Sequence, residues 1–229
     1  MTFTLIHRER TESTNLDARA GVPGDVFTAR EQTAGRGRLD HRWLARPGEN
    51  LTFSVVLSAA GVPPEEVMTL PLVVGLAVRR VTGGAVKWPN DVLVNGRKIA
   101  GILCERNGDN VICGIGVNVN QTVFPAEIAA RATSLKLVRG DAQDLDAVLA
   151  ALLAELGALY ETWRAGGFAA VYAELAAHDA LKGAVVSVRQ TDGDPAPVEG
   201  LCGGIGVDGA LLVAGRPVYA GEAVRTVPV

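Results

Sequence analysis

Lysine is nearly absent from this chain. Of its 22 basic residues only Lys87, Lys98, Lys136 and Lys182 are lysines. A position that keeps lysine where arginine is the rule is therefore a candidate for a compact point charge in place of a planar fork. A basic surplus is also missing: 25 acidic residues leave a net charge of −3 and a pI near 5.7. That argues against bulk electrostatic binding to nucleic acid, so any anion site has to be local. Cysteine is scarce, and Cys104, Cys113 and Cys202 are odd in number and lack C-x-x-C spacing. They read as reduced thiols in a core, which excludes a disulfide framework or a thiolate metal site. Long apolar runs are missing too. "MTFTLIHRERTEST" cannot serve as a signal peptide. "LPLVVGLAV" is too short to span a membrane, and "LDAVLAALLAELGALYETW" is broken by acids. The expectation is a cytoplasmic globular protein of one or two domains, its 229 residues being 48% hydrophobic.

There is no internal repeat and no low-complexity tract. "FTLIHRE", "DVFTARE" and "NLTFSVVL" read as strands. "STNLDARA" reads as a short helix with Ser13 or Thr14 as a cap. Residues 63–82 open with Pro63-Pro64 and two glutamates, then run apolar at helical spacing, which predicts a helix. From Ala85 to Asn120 consecutive antiparallel strands are expected, with a two-residue hairpin at Asn95-Gly96 and a second turn at Asn107-Gly108. Residues 122–143 read as irregular, and "DLDAVLAALLAELGALYETWRAG" and "FAAVYAELAAH" as helices. Beyond Lys182-Gly183 come short strands separated by Asp-Gly, Gly-Asp and Gly-Arg turns. The pattern predicts an α/β (α+β) body over residues 1–182 and a small β-barrel over 183–229.

The charge is concentrated in "QTAGRGRLDHRWLARPG", residues 32–48. Gly35 and Gly37 let backbone N–H groups approach an anion, and Arg36 and Arg38 can clamp its oxygens bidentately. At ~4 Å in a partly desolvated site each such pair is worth up to roughly 4 kcal/mol before desolvation. A solvated surface ribbon is the alternative, although Trp43 argues for docking on a core or a flat ligand. In "KWPND", Pro89 interrupts the strand and presents Asn90 and Asp91 at a bend. Asp91 could position or deprotonate an amine there, and an ordinary turn explains the backbone equally well. Lys98 stands at the mouth of the apolar strand "IAGILC", either facing a pocket or snorkelling at an edge. Asn118 ends "ICGIGV", whose glycines leave room for a flat group, and its amide either reads a base or caps the strand. Ser13, Thr14, Asn15 and Gln32 offer short polar donors and acceptors. His41 has no visible partner, and no metal-ligand spacing is identifiable.

Taken in order, "ESTN", "QTAGRGR…W", "KWPNDVLVNGRKIAGIL" and "GIGVNVN" closely resemble the biotin protein ligases (biotin–[acetyl-CoA-carboxylase] ligases) over residues 12 to about 120. The resemblance implies a mixed or antiparallel sheet of the biotin/lipoate ligase type, with the tail as an SH3-like domain. It implies formation of biotinoyl-5′-AMP from biotin and MgATP, then transfer of biotin to one lysine of a biotin carboxyl carrier domain. By position, Ser13, Thr14 and Gln32 would bond the ureido ring, supported by Asn15. Gly35, Arg36, Gly37 and Arg38 would form the loop that orders over biotin and holds the adenylate. Lys98 would touch the carboxylate and α-phosphate. Asn118 and Trp43 would contact the nucleotide, Asp91 would orient the acceptor lysine, and Lys87 and Trp88 would be support.

Two features depart from the family pattern. Leu39, Asp40 and His41 stand where its loop usually continues Arg-Gly-Arg. The chain also starts close to the catalytic region, so no DNA-binding helix-turn-helix and no repressor role are expected. A homodimer is compatible with the sequence. The alternatives are a lipoate–protein ligase and a nucleic-acid-binding module using the arginine loop and the small barrel.

Overall fold

The computed structural model describes residues 1–39, 41–190 and 196–226. Asp40, the expected Gly193-Asp194 turn and the end of "AVRTVPV" lie outside the described residues. Seven strands form the main sheet: β1 (Thr4–Thr11), β2 (Asp25–Gln32), β3 (Leu51–Ser58), β4 (Ala85–Lys87), β5 (Asp91–Val94), β6 (Arg97–Asn107) and β7 (Asn110–Val117). Their order is β1-β2-β3-β7-β6-β5-β4. β1 and β2 run parallel, and every other neighbouring pair is antiparallel. The parallel pair is joined by α1 (Thr14–Asp17) and a 3-10 turn; Ser13 occupies the N-cap position of α1 without a side-chain capping bond. Asn95 and Gly96 both take positive φ, 50° and 75°, as a type I′ hairpin between β5 and β6 requires.

The helix expected over 63–82 is two helices, α2 (Pro64–Val67) and α3 (Leu70–Thr82). Pro71 has no N–H to offer the Val67 carbonyl, and its ring crowds that oxygen. The chain therefore breaks, turning through a bond from Thr69 N to Glu66 O at 3.0 Å. The region expected to be irregular contains α4 (Ala126–Ala129) and α5 (Leu135–Arg139), each about one turn long. α6 (Leu145–Gly166) is capped by Asp144, whose Oδ1 accepts from the N–H groups of Asp146 and Ala147, and α7 (Ala169–Ala177) follows.

Strand alternation divides the sheet into two faces. Phe53, Val55 and Leu57 of β3, with Cys113, Ile115 and Val117 of β7, point into the core shared with the apolar stripes of α3 and α6. Thr52, Ser54, Gly114 and Gly116 point the other way. β8 (Val185–Arg189), β9 (Val198–Ile205), β10 (Leu211–Val213), β11 (Arg216–Val218) and β12 (Glu222–Arg225) form a second, antiparallel sheet in the order β11-β10-β9-β8-β12. The hydrophobic core runs on into it through Val186, Val188, Cys202 and Leu211. Trp88, which precedes the cis Pro89, is buried and donates from Nε1 to Gly209 O at 3.1 Å, fastening one sheet to the other. Asp179 adds a second tie, accepting from Leu181 N and Ile205 N at 2.8 Å each. Burial pushes its carboxyl above the ordinary aspartate value. All three cysteines are free. Among the described residues no helix is long and apolar enough to cross a membrane.

Candidate active site

The face of the sheet turned away from α3 and α6 is floored by hydroxyls and glycines. Gly101 and Gly116 are partners across β6 and β7. A Cβ on Gly116 would overlap the Trp43 indole, and one on Gly114 would overlap the Asn15 amide. Bare backbone at these two positions is what lets an aromatic ring and an amide lie against the strands. Over this floor folds the arginine loop, which is no loose ribbon. Arg36 and Arg42 form an antiparallel bridge, Trp43 N donates to Gly35 O at 3.0 Å, and Gly37 N donates to His41 O at 2.7 Å. Between loop and sheet lies a cavity of about 120 Å³.

One end of the cavity is uncharged. Gln32 Oε1 accepts from Thr14 N at 2.8 Å and from Thr14 Oγ1 at 3.1 Å. Thr14 Oγ1 lies 2.7 Å from Ser54 Oγ, and Ser54 donates to Asn15 Oδ1 at 2.6 Å. Asn15 Nδ2 donates to Glu105 Oε2 at 2.7 Å. Ser54 is fully buried and Asn15 nearly so. Buried polar groups at this depth are tolerable because each is paired.

The other end carries charge. Lys98 Nζ lies 2.6 Å from Asp91 Oδ1, and Lys87 Nζ lies 3.8 Å from Asp91 Oδ2. The first contact is an ion pair whose angles fall short of a hydrogen bond, which leaves Oδ1 without one. A bulge puts Lys98 there. Val92 pairs with Ala100 but Leu93 pairs with Lys98, so Ile99 is the extra residue in β6. Strict alternation from Gly101 would aim Ile99 at the cavity. The bulge instead leaves Ile99 fully buried in the core and re-aims Lys98. Backbone bonds from Lys98 N to Arg131 O and from Thr133 N to Lys98 O hold it in place. The Trp43 ring centroid is 5.9 Å from Lys98 Nζ, and the indole Nε1 is buried without a partner. Arg38 reaches Asn90 Oδ1 at 3.4 Å and Gly221 O at 3.3 Å. Burial lowers its pKa, and Asp91 and Glu222 counter that in part.

All but two of the candidate residues read from the sequence border this one cavity. The exceptions are Gly35, which lines a separate hollow beneath Trp43, and Asn118, which is buried beyond the end of β7 with Nδ2 donating to Thr133 O at 3.0 Å. His41 borders the cavity from the exposed side of the loop. Among the described residues no group of three metal-binding side chains occurs.

The model of the biotin/lipoate A/B protein ligase family matches residues 8–120. The biotin–[acetyl-CoA-carboxylase] ligase of Paracoccus denitrificans is 33% identical over 228 residues, covering 90% of this chain and 92% of that protein. The chain belongs to the biotin/lipoate A/B protein ligase family. The biotin–[acetyl-CoA-carboxylase] ligase of Mycobacterium tuberculosis is 38% identical over 170 residues, covering 68% of this chain. The chain spans between 48% and 63% of the length of the first curated relatives it matches, bifunctional ligase/repressors of Bacillus among them. The structure of the Aquifex aeolicus biotin protein ligase in complex with biotin and ATP superposes with a TM-score of 0.85 at 28% identity, covering 97% of this chain and 99% of that one.

Within this ligase-family fold, three features escaped the reading of the sequence, two of them behind the residues that border the cavity. Ser54 sits inside the apolar run "FSVVL", and a lone hydroxyl in a buried strand was the available signal. Glu105 follows Gly101 and Leu103 at the strand period of two, on the cavity face. Gly221 and Glu222, from the edge of the second sheet, border the cavity with no local signal at all.

Proposed function

We propose that the chain activates biotin with MgATP to biotinoyl-5′-AMP and transfers the biotinoyl group to a lysine of a biotin carboxyl carrier domain. The observation that carries this reading is the pairing, in one cavity, of a buried uncharged hydrogen-bonding end with a cationic end built around Lys98 and Arg38. A ureido ring needs donors and acceptors without charge. A carboxylate meeting a triphosphate gathers about five negative charges and needs local cations.

In the first step a biotin carboxylate oxygen attacks the α-phosphorus and the bond to pyrophosphate breaks. Lys98, a compact cation, would follow the charge as it moves from carboxylate to phosphate. Arg36, Gly37 and Arg38 would close over the mixed anhydride and slow its escape, with Gly35 shaping the turn. Ser13, Thr14 and Gln32 would hold the ureido group, Asn15 supporting them. Trp43, and Asn118 tied to Thr133, are assigned to the nucleotide. In the second step the acceptor amine attacks the acyl carbon, the bond to AMP breaks and the amide forms as the amine loses a proton. Asp91, which already meets one ammonium at 2.6 Å, would orient that amine. Magnesium would accompany the nucleotide and supply charge neutralisation to the phosphates; of the two acids among the described residues that border the cavity, Asp91 is already paired with Lys98, and Glu222 is the one that could face the ion. On this reading residues 1–182 hold both substrates and 183–229 form the smaller unit beside them.

The test is pyrophosphate release from MgATP with biotin, with lipoate and with neither, for wild type and Arg38→Gly. The expected result is release with biotin alone, and faster leakage of the adenylate from the variant. Release with lipoate alone would reassign the substrate, and no biotin-dependent release would overturn the ligase reading.

A further inference from the structure

Glu105 touches both working parts of the uncharged end. Its Oε2 accepts from Asn15 Nδ2 at 2.7 Å, and its Oε1 lies 3.1 Å from Arg36 Nη1, which also reaches Oε2 at 3.3 Å. Its side chain is 22% exposed and Arg36's 42%, and the contact joins Asn15 and Arg36, which both border the cavity. No other acidic side chain of the described residues pairs with Arg36.

The chemistry of the groups fixes the direction of every bond in the row. An ionised carboxylate only accepts. Asn15 therefore presents Nδ2 to Glu105 and Oδ1 to Ser54, so the single Ser54 proton is committed to Asn15. The hydrogen in the Thr14–Ser54 contact must then be Thr14's, shared between Ser54 Oγ and Gln32 Oε1. With both hydroxyl protons turned inward, Thr14, which borders the cavity, keeps a lone pair for an N–H group of a ligand, and Gln32 Nε2 keeps its hydrogens for a ligand carbonyl.

We infer that Glu105 is a positioning residue that sets the hydrogen-bond polarity of this row and, through Arg36, latches the arginine loop to it. Closing the loop and ordering the row are then one event. The inference rests on the biotin-ligase reading for the identity of the ligand, but the latch itself does not.

Two measurements on the full chain separate these points. The loop contains Arg36, Arg38 and Arg42 as trypsin sites, Arg46 being shielded by Pro47, so limited trypsin digestion read at Arg38 and Arg42 reports its docking with no ligand present. Glu105→Gln keeps the size of the side chain and an acceptor for Asn15 but loses the charge. It is expected to speed cleavage in the loop about tenfold, the scale of one charge-assisted contact, while the unfolding midpoint stays within a few degrees. Arg36→Met should do the same, and the double variant should be no faster than the faster single one, because both remove one contact. In turnover, Glu105→Gln should raise the KM for biotin and the leakage of adenylate, with kcat at saturating biotin held within about twofold, a split that general loss of structure would not give. Wild-type cleavage rates in Glu105→Gln, or additive effects in the double variant, would overturn the latch. A wild type that releases no pyrophosphate with biotin, alongside faster cleavage in the variant, would overturn the ligase reading and leave the latch standing.

Discussion

The two ends of the cavity are built on opposite principles. At the uncharged end, Gln32, Thr14, Ser54 and Asn15 bond mainly to one another, and Asn15 closes the row on the Glu105 carboxylate outside it, at distances between 2.6 and 3.1 Å. At the charged end, Lys98 is 39% exposed, Asp91 is shared between two lysines, and the Trp43 N–H and Asp91 Oδ1 are left short of hydrogen bonds. A completed network is rigid and recognises shape by what it refuses. An incomplete one holds its charges against each other until a reactant separates them. The difference implies that changes at the uncharged end act on binding, and changes at the charged end act on rate.

The sharpest way to break that contrast is Lys98→Ala. It should lower the rate of adenylate formation by about 10²–10³-fold, the scale seen when one preorganised charge is removed from a transition state, with a much smaller change in the KM for biotin. Single-turnover formation of the adenylate measures it, and a shift confined to KM would erase the distinction between the ends. Next in size is Gly116→Val, whose side chain needs the space of the Trp43 ring. Overpacking should cost about 1–3 kcal/mol in denaturant unfolding, with weakened use of ATP. Ser54→Ala leaves Asn15 Oδ1 buried without its donor and should cost about 1–3 kcal/mol in stability, raise the KM for biotin and spare kcat. The smallest effect sharpens the comparison from outside the cavity. Glu174 pairs with Arg80 at 2.5 Å, and that hydrogen bond holds its carboxyl below the ordinary value of 4.5. A depressed folded pKa stabilises the fold above 4.5 and loses that contribution as the pH falls through the lower folded value. Since both side chains are 31% exposed, Glu174→Gln should cost under about 1 kcal/mol at neutral pH and nothing in acid, followed by urea unfolding across the pH range.

Much of this was legible in the sequence because it is local. Asn95-Gly96 specified its hairpin, the apolar spacing of "DLDAVLAALLAELGALYETWRAG" its helix, and the four motif stretches the floor and roof of one cavity. What was not legible is relational. The parallel pairing of β1 with β2 depends on partners rather than composition. The helix break came from Pro71 acting on a carbonyl four residues earlier, which an apolar periodicity hides. The bulge at Ile99 was invisible because alternation in "RKIAGILCE" fits either register, yet it decides whether Lys98 faces the cavity or the core. Ser54 and Glu105 carry no signal alone and matter through their partners, Ser54 through Thr14 and Asn15, Glu105 through Asn15 and Arg36.

Besides the Asp179 tie, Trp88 and the loop residue Arg38 bond to the turns of the second sheet, and both of these bonds end on backbone oxygens, those of Gly209 and Gly221. A carbonyl has no side-chain identity to lose. Provided the turns at these two positive-φ glycines keep their shape, the outward residues of β8 to β12 are open to redesign, except Glu222 at the cavity border and Arg225, which donates to Ala180 O. That surface can be recoded for a new tag, a new charge or a new carrier while the loop beneath it continues to find the same two oxygens.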